Sequence, residues 1–250
     1  GYPGPVHLSM PVDIMFSSFD ESSSDMERPF TRKEPKTYKA WPEPSALNEI
    51  IDIIKSSKKP IIIGGHGIWW SKNEDLLKQV GDEIKIPIFN VPYHQKLLNE
   101  NCKAFLGLAD VHQYHPSKFA FNESDCIIMV GGRLDNQMNF GNPPLFPASS
   151  RLICVNGSHE EIEFNRAADH LLLSDPGAFF ECLLESYNGD KFSLEKDWLA
   201  KNIEERKKWV TASVNNLVET TNSPAWSGGK IHPLELSLSV QKCMTDEDIL

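Results

Sequence analysis

The sequence is poor in cysteine and contains no long apolar run. Its cysteines lie far apart without a C-x-x-C pair, so neither a zinc site nor the disulfide framework of a secreted protein is indicated. They are Cys102, Cys126, Cys154, Cys182 and Cys243. We therefore expect reduced thiols in a cytoplasmic protein. No apolar run approaches the roughly 20 residues that cross a bilayer, and the first residues lack the features of a signal peptide. No membrane partner is expected.

The sequence also has little positive charge, and this excludes one class of partner. Lysine and arginine number 25 against 35 aspartates and glutamates, which gives a formal net charge of −10 at pH 7. A chain with this balance repels a phosphate backbone, so we expect no nucleic-acid partner. At 250 residues, of which 40% are hydrophobic, the chain is long enough for one large or two small globular domains.

The signatures of several kinds of active site are missing too. No Ser/His/Asp or Cys/His arrangement stands in the context of a nucleophile elbow, and the sequence places no carboxylates in a pair. His112 and His115 lie three residues apart near Asp110. Since no third metal ligand accompanies them, a capping or solvated role is expected. The sequence predicts no metal site and reveals no catalytic residue.

The first part of the chain changes character twice. Residues 5–13 alternate in polarity and predict a short strand that stops at a proline. Residues 16–44 are rich in Ser, Asp, Glu, Lys and Pro without periodicity, which is typical of an exposed linker. We therefore place a domain boundary in this stretch and expect it to pack as an extended segment without a core of its own.

After residue 44 the patterns of helix and strand alternate. Residues 46–54 predict an amphipathic helix and residues 60–63 a buried strand. Further helices are predicted at 73–80, 116–121 and 175–187, and further strands at 86–91, 125–130, 151–155 and 170–173. Asp175 and Pro176 fit the N-cap and first turn of the last helix. This alternation predicts an α/β fold, a Rossmann-like open parallel sheet with helices on both faces.

The last part of the sequence differs again. Residues 194–218 predict a long charged helix, and residues 222–229, rich in Ser, Pro and Gly, interrupt the pattern. Another helix is predicted at 233–243, and residues 246–250 resemble a loop that leads into a strand. We therefore expect both ends of the sequence to be cuts through a longer protein.

Two glycine-rich turns follow predicted strands. The sequence Gly-Gly-His-Gly at 64–67 follows the first of them, where free N–H groups and the start of a helix favour an anion. It lacks the full G-x-G-x-x-G fingerprint, and a tight turn also needs glycine for steric reasons, so both interpretations stay open. Trp69 and Trp70 follow this turn; stacking on a flat cofactor and packing between elements are both open, with packing favoured.

The second turn is Gly-Gly-Arg-Leu-Asp at 131–135. Arg133 offers a planar fork for phosphate or carboxylate, and Asp135 is suited to a ribose hydroxyl or to orienting the arginine. The alternative is a surface Arg–Asp pair of little energetic weight. Since a parallel sheet gathers the loops after its strands at one edge, we predict that residues 64–67 and 131–135 lie side by side.

Taken in order, these segments resemble the thiamine-diphosphate enzyme family that includes acetolactate synthase, benzaldehyde lyase, oxalyl-CoA decarboxylase and 2-hydroxyacyl lyases. The order of the motifs makes the resemblance specific. The motifs that carry it are residues 4–13, 58–67, 86–87, 105–107, 124–135, 161–162, 175 and 231–234.

The resemblance implies an organisation and an activity. Residues 1–15 would end the pyrimidine-binding domain, 16–44 form a linker, 45–190 the central dinucleotide-fold domain, 191–230 a linker helix and 231–250 the start of the diphosphate-binding domain. The full-length parent would be a homo-oligomer that forms or cleaves a C–C bond next to a carbonyl of a small-molecule substrate. Acetolactate synthesis is the first choice of reaction, and benzaldehyde or 2-hydroxyacyl-CoA lyase chemistry is the alternative. A non-catalytic nucleotide-binding or structural domain remains a rival hypothesis.

The resemblance also implies cofactors. Thiamine diphosphate and magnesium belong to the parent, since the family's catalytic glutamate would precede Gly1 and its Gly-Asp-Gly motif would follow Leu250; this span alone is expected to be inactive. In the central domain FAD, ADP or no nucleotide are the alternatives. The positions that match the family's nucleotide contacts are Gly64, Gly65, His66, Gly67, Leu106, Gly107, Gly131, Gly132, Arg133, Asp135, Asn156 and Asp175.

Overall fold

The computed structural model describes residues 4–18, 20, 22, 38–92, 97–99, 101–110, 112, 114–162, 165–187, 192–221 and 231–245. The helices are α1 Val12–Met15, α2 Pro44–Ser56, α3 His66–Trp70, α4 Glu74–Glu83, α5 His115–Glu123, α6 Pro176–Tyr187, α7 Trp198–Thr221 and α8 Pro233–Cys243, with a 3₁₀ helix at Asn136–Gly141. The strands are β1 Pro60–Gly64, β2 Ile88–Asn90, β3 Phe105–Leu108, β4 Cys126–Val130, β5 Arg151–Asn156 and β6 His170–Leu173.

Within the described residues, the six strands form one sheet in the order β3-β2-β1-β4-β5-β6. Every pairing is parallel. From β1 the chain adds β2 and β3 on one side and then returns to add β4, β5 and β6 on the other. The predicted open parallel sheet is confirmed, and the direction of strand addition reverses between β1 and β4, where sheets of this kind bind their ligands.

The two faces of the sheet bury separate apolar cores. The central strands, with the sequences PIIIG and CIIMV, are buried at every position. On one face Ile62 and Ile128 pack with α2, α4 and α6. On the other face Ile61 and Ile127 pack with α5 and the start of α7. Helices therefore cover both faces, which explains why the strands are continuous apolar runs rather than alternating ones.

Helix α7 is anchored to the domain by its first half. The indole Nε1 of Trp198 donates a hydrogen bond of 2.9 Å to the carbonyl of Pro60, at the start of β1. Three turns later Trp209 packs edge-on against Tyr114, with 4.9 Å between ring centroids. Beyond Trp209 no described residue of α7 is buried. Among the described residues, no helix combines the length and apolar character needed to cross a membrane.

Two predictions for the first part of the chain have different outcomes. The strand predicted at 5–13 is wrong: residues 4–18 hold α1 and no strand, and each of them is exposed. A strand needs a neighbour to accept its hydrogen bonds, and none is present beside these residues within the described part. The linker predicted at 16–44 lies largely outside the described residues. Its described end, residues 38–43, has no regular structure and leads into α2.

Candidate functional site

The two glycine turns meet at the carboxyl edge of the sheet, as predicted. Because β1 and β4 are paired with Gly64 opposite Val130, the loops that follow them start side by side. The N–H of Gly65 donates to the carbonyl of Val130 at 2.9 Å, and the N–H of Gly67 donates to the carbonyl of Gly131 at 2.7 Å. The turns therefore form one joined structure at the point where strand order reverses.

The space between these turns explains why both contain glycine. A Cβ atom on Gly65 would lie 2.5 Å from the carbonyl oxygen of Gly131 and 2.7 Å from the nitrogen of Gly132. A Cβ on Gly67 would lie 2.8 Å from the Cα of Gly131, which itself has a φ of +66°. Contacts under 3.0 Å with backbone leave no room for a side chain. The steric interpretation of these glycines is therefore supported, and we call the four residues Gly65, Gly67, Gly131 and Gly132 the glycine interlock.

The interlock also occupies N–H groups that an anion would need. Besides those of Gly65 and Gly67, the N–H of Gly131 donates to the carbonyl of Val155 at 2.8 Å. Gly64, the first glycine of the turn after β1, faces the apolar core, where a Cβ would lie 2.7 Å from a methyl group of Leu97. A ligand at this edge therefore depends on the surrounding side chains more than on a cradle of backbone N–H groups.

An aromatic surface lies next to the interlock on α3. Trp69 and Trp70 meet edge to face, with 4.7 Å between ring centroids, and their side chains are 36% and 48% exposed. The ring of His66 lies 6.4 Å from that of Trp69. Burial lowers the pKa of His66, which favours its neutral imidazole. These rings offer a flat, uncharged surface beside the end of β1.

The charged groups of the second turn have specific partners. The Nη1 of Arg133 lies 3.6 Å from the Oε2 of Glu161, and the arginine side chain is half exposed. The carboxylate of Asp135 accepts a hydrogen bond of 3.0 Å from the N–H of Gln137, which caps the 3₁₀ helix. Arg133 therefore presents a guanidinium near the edge of the sheet. One carboxylate oxygen of Asp135 is used to cap the 3₁₀ helix.

Asn156 and Asp175 stand at the ends of the next two strands and stabilise the loops there. Asn156 is buried; its Nδ2 lies 3.4 Å from the carbonyl of Gly132, and its Oδ1 accepts from the N–H of Ser158 at 3.1 Å. Asp175 accepts from the N–H groups of Gly177 and Ala178 at 2.9 and 3.1 Å. The predicted N-cap of α6 is thereby confirmed. Both polar side chains hold backbone at the carboxyl edge.

Leu106 and Gly107 lie at the far side of the same edge, on β3. The hydroxyl of Tyr114 donates to the carbonyl of Leu106. Gly107 has a φ of +111°, and a Cβ there would lie 2.7 Å from the Tyr114 oxygen. Burial raises the pKa of Tyr114. The sheet thus brings all the predicted positions to one edge, but β1 and β2 separate this pair from Arg133 and Asn156.

Sequence reasoning missed three residues at this edge. Glu161, which belongs to the motif at residues 161–162, pairs with Arg133. Asn90 ends β2 and is 2% exposed, with its Nδ2 donating to the carbonyl of Val91 at 3.1 Å. Tyr114 holds β3. An asparagine at the end of an apolar strand was a usable signal; the roles of Glu161 and Tyr114 depend on contacts across the fold.

Two cavities lie away from the interlock. One, of about 670 Å³, is at the amino edge, where Arg151 begins β5 and His170 begins β6, with Glu49 and Asp52 of α2 in its wall. The other, of about 360 Å³, lies beside α5. Among the described residues, no three His, Cys, Asp or Glu side chains are placed to hold a metal ion.

Comparison with known proteins finds a matching family model and several relatives. The family model described as "Thiamine pyrophosphate enzyme, central domain" matches residues 47–183. A probable acetolactate synthase large subunit from Methanococcus aeolicus is 26% identical over 227 residues, covering 88% of this chain and 36% of the relative. A 2-hydroxyacyl-CoA lyase from Arabidopsis thaliana is 27% identical over 205 residues, covering 78% of this chain and 33% of the relative. The chain thus spans about a third of the length of these relatives.

Solved structures agree on the fold. Benzoylformate decarboxylase from Polynucleobacter necessarius superposes with a TM-score of 0.53 at 18% identity, covering 66% of this chain and 30% of that one. A thiamine diphosphate-dependent 4-hydroxybenzoylformate decarboxylase from Rhodococcus jostii RHA1 gives a TM-score of 0.53 at 16% identity, covering 68% and 31%. At these identities the likeness concerns the fold alone.

Proposed function

The chain belongs to the thiamine pyrophosphate enzyme family, whose central domain it contains, and we propose that it is part of an enzyme that forms or cleaves a C–C bond next to a carbonyl group. The match over residues 47–183 carries this proposal. Acetolactate synthesis is the reaction we place first, because acetolactate synthase large subunits recur among the relatives. Cleavage of 2-hydroxyacyl-CoA is the second candidate, favoured by the lyases among them.

Thiamine diphosphate and magnesium are proposed for a longer protein rather than for this chain. Among the described residues no three His, Cys, Asp or Glu side chains are placed to hold a metal ion. When bound, thiamine diphosphate supplies the carbanion that attacks or leaves the carbonyl carbon. The described residues do not fit that cofactor, and we propose that this chain contributes the parallel sheet of the central domain.

For the central domain we propose a nucleotide, FAD or ADP, at the carboxyl edge. The half-exposed guanidinium of Arg133 is suited to a diphosphate because its planar fork donates two parallel hydrogen bonds. The ring of His66 and the exposed indoles of Trp69 and Trp70 offer stacking surface for a flat ring. The N–H groups of Gly65, Gly67 and Gly131 already donate to carbonyl groups. We therefore propose that side chains, rather than these N–H groups, bind the nucleotide.

We propose domain boundaries after residues 15, 44, 190 and 230, together with a homo-oligomer and a cytoplasmic location. The side chains of Val6, Leu8 and Met10 are 94%, 74% and 57% exposed, and Leu236 on α8 is 52% exposed. We propose that other domains or subunits cover these exposed apolar side chains. The buried thiols of Cys102, Cys126 and Cys154 suit a reducing compartment.

The proposal is tested by assaying the longer protein that contains this sequence with thiamine diphosphate and Mg²⁺. Formation of acetolactate from pyruvate supports the first reaction, and cleavage of a 2-hydroxyacyl-CoA supports the second. The 250-residue chain, assayed alongside, should show neither activity. Absence of both activities from the longer protein, with no nucleotide bound, would favour a non-catalytic domain.

A further inference from the structure

The cavity beside α5 is built from three separate parts of the chain. The turn after β3 supplies one wall, α5 the second, and the 3₁₀ helix with the prolines after it the third. The residues that line it are His112, Lys118, Asn122, Asn139, Pro144 and Leu145. Its volume of about 360 Å³ falls within the range of small-molecule sites, roughly 300–1,000 Å³.

The charge of the lining differs from that of the chain. None of the six residues is acidic, although the chain has a formal net charge of −10. Lys118 brings an ammonium group with three donors. The Nε2 of His112 lies 3.2 Å from the carbonyl oxygen of Asn136, which can only accept, so Nε2 carries hydrogen and the ring is held in place. The lining therefore favours an anion.

The wall formed by the 3₁₀ helix has an unusual backbone. Asn139 and Phe140 have φ angles of 49° and 54°, and Gly141 follows at 74°. A bulky phenylalanine rarely adopts this left-handed conformation, and such residues cluster at functional sites. The segment is fixed from outside, because Arg166 donates to the carbonyls of Gly141 and Ser150, each at 3.1 Å.

The opposite wall is tied to the prolines. In the orientation that satisfies its partners, the amide nitrogen of Asn122 donates to the carbonyls of Leu145 and Pro144, at 2.8 and 3.2 Å. Helix α5 and the segment after the 3₁₀ helix are thereby held together. The side chain of Leu145 is 8% exposed and adds an apolar part to the lining. The cavity is thus formed before any ligand arrives.

We propose that this cavity binds a phosphate monoester whose carbon skeleton is about the size of a pentose. Lys118 binds the phosphate, and Pro144 and Leu145 pack against the carbon skeleton. None of its lining residues belongs to the set proposed to hold a nucleotide at the carboxyl edge. The amino-edge cavity suits the same ligand less well, because its lining sets two carboxylates, Glu49 and Asp52, against the single guanidinium of Arg151.

The test is calorimetric titration of ribose 5-phosphate into the 250-residue chain, with unphosphorylated ribose as the uncharged control. Wild type should bind the phosphate ester and not ribose. Lys118→Ala should weaken binding about tenfold or more, because it removes a charged hydrogen-bond donor. Since Lys118 is exposed, folding should be unchanged, which a thermal melt checks.

Two matched variants make the outcome specific. Lys103 is also exposed but lies just before β3, at the opposite edge of the sheet; Lys103→Ala should retain wild-type affinity for ribose 5-phosphate. Arg133→Ala should retain it too, which separates this cavity from the nucleotide site. Absence of binding by wild type, equal affinity in Lys118→Ala, or an equal loss in Lys103→Ala would each overturn the proposal.

Discussion

The two edges of the sheet are closed in different ways. At the amino edge, carboxylates accept hydrogen bonds from backbone: Asp125 binds the N–H groups of Lys58 and Lys59 at 2.8 and 2.9 Å, and Asp169 binds that of Leu152 at 2.7 Å. At the carboxyl edge, between β1 and β4, backbone packs directly on backbone through the glycine interlock.

The difference separates what holds the domain together from what is available to a ligand. Asp125 and Asp169 at the amino edge already accept backbone hydrogen bonds, so they are poor candidates for chemistry. At the carboxyl edge the interlock is formed by backbone alone. Neighbouring side chains such as Arg133 and His66 are therefore not needed to join β1 to β4, and they are the better candidates for ligand binding. Four substitutions test this contrast, from the largest expected effect on stability to the smallest.

Gly65→Ala should have the largest effect. The new methyl group would lie within 2.7 Å of backbone atoms of Gly131 and Gly132, so β4 and its loop must move. We expect a loss of about 3 kcal/mol in the free energy of unfolding, at the upper end for overpacking, measured by urea denaturation. Gly157→Ala is the matched control, because its Cβ would meet only the Ser174 carbonyl at 3.8 Å. Equal stability of both variants would contradict the interlock.

Asp125→Ala should come next. It removes a carboxylate that accepts two backbone hydrogen bonds where the chain enters β1. We expect a loss of about 2 kcal/mol in unfolding free energy, since hydrogen bonds to charged groups contribute about 1.5–3 kcal/mol and this site is exposed. In Asp82→Ala only an exposed ion pair with Lys78 is lost, and the change should stay under about 0.5 kcal/mol. A similar loss in both would show that Asp125 is an ordinary surface charge.

Asp175→Ala tests the carboxylate at the opposite edge. Here a side chain caps α6 through Gly177 and Ala178, and removing the cap should cost about 1 kcal/mol of unfolding free energy. Asp175→Ser keeps an oxygen at the cap position and should recover most of that loss in the same urea titration. If serine were no better than alanine, the role of Asp175 would lie elsewhere, for example in nucleotide binding.

Arg133→Ala should change stability least. Its side chain is half exposed and pairs with Glu161 at 3.6 Å, so unfolding free energy should change by less than about 0.5 kcal/mol. Binding of FAD or ADP, followed by titration, should weaken by roughly 1.5–3 kcal/mol. Arg151→Ala, at the amino edge, should bind the nucleotide as wild type does. Unchanged affinity in Arg133→Ala would remove this residue from the site.

Sequence patterns predicted most of the sheet because its central strands are short, continuous apolar runs. The runs at β1 and β4 are apolar, short and bounded by turn residues, and the bounds predicted for β6 and α8 match the structure. β3 was missed as a strand because its sequence FLGL is brief and contains glycine. The strand expected at 5–13 failed because alternation alone does not supply a neighbouring strand.

The candidate site was predictable to the level of topology. A parallel sheet places the turns after β1 and β4 together, and their adjacency was foreseen from that rule. The glycine interlock was not predicted, since it depends on how closely the backbone after β1 approaches the backbone after β4. Nor were the pairing of Arg133 with Glu161 or the contact of His112 with Asn136, because each joins residues more than 20 positions apart, beyond the reach of local periodicity.

The indole hydrogen bond of Trp198 gives α7 a mechanical role. A helix of 24 residues is about 36 Å long at 1.5 Å per residue, and this one is fastened at its base to the first residue of the central strand. The helix is thus fixed to the domain at its start. In its second half Val210, Val214 and Val218 are exposed. Because the helix is bonded to β1 at its start, the direction in which these valines point is set relative to the sheet.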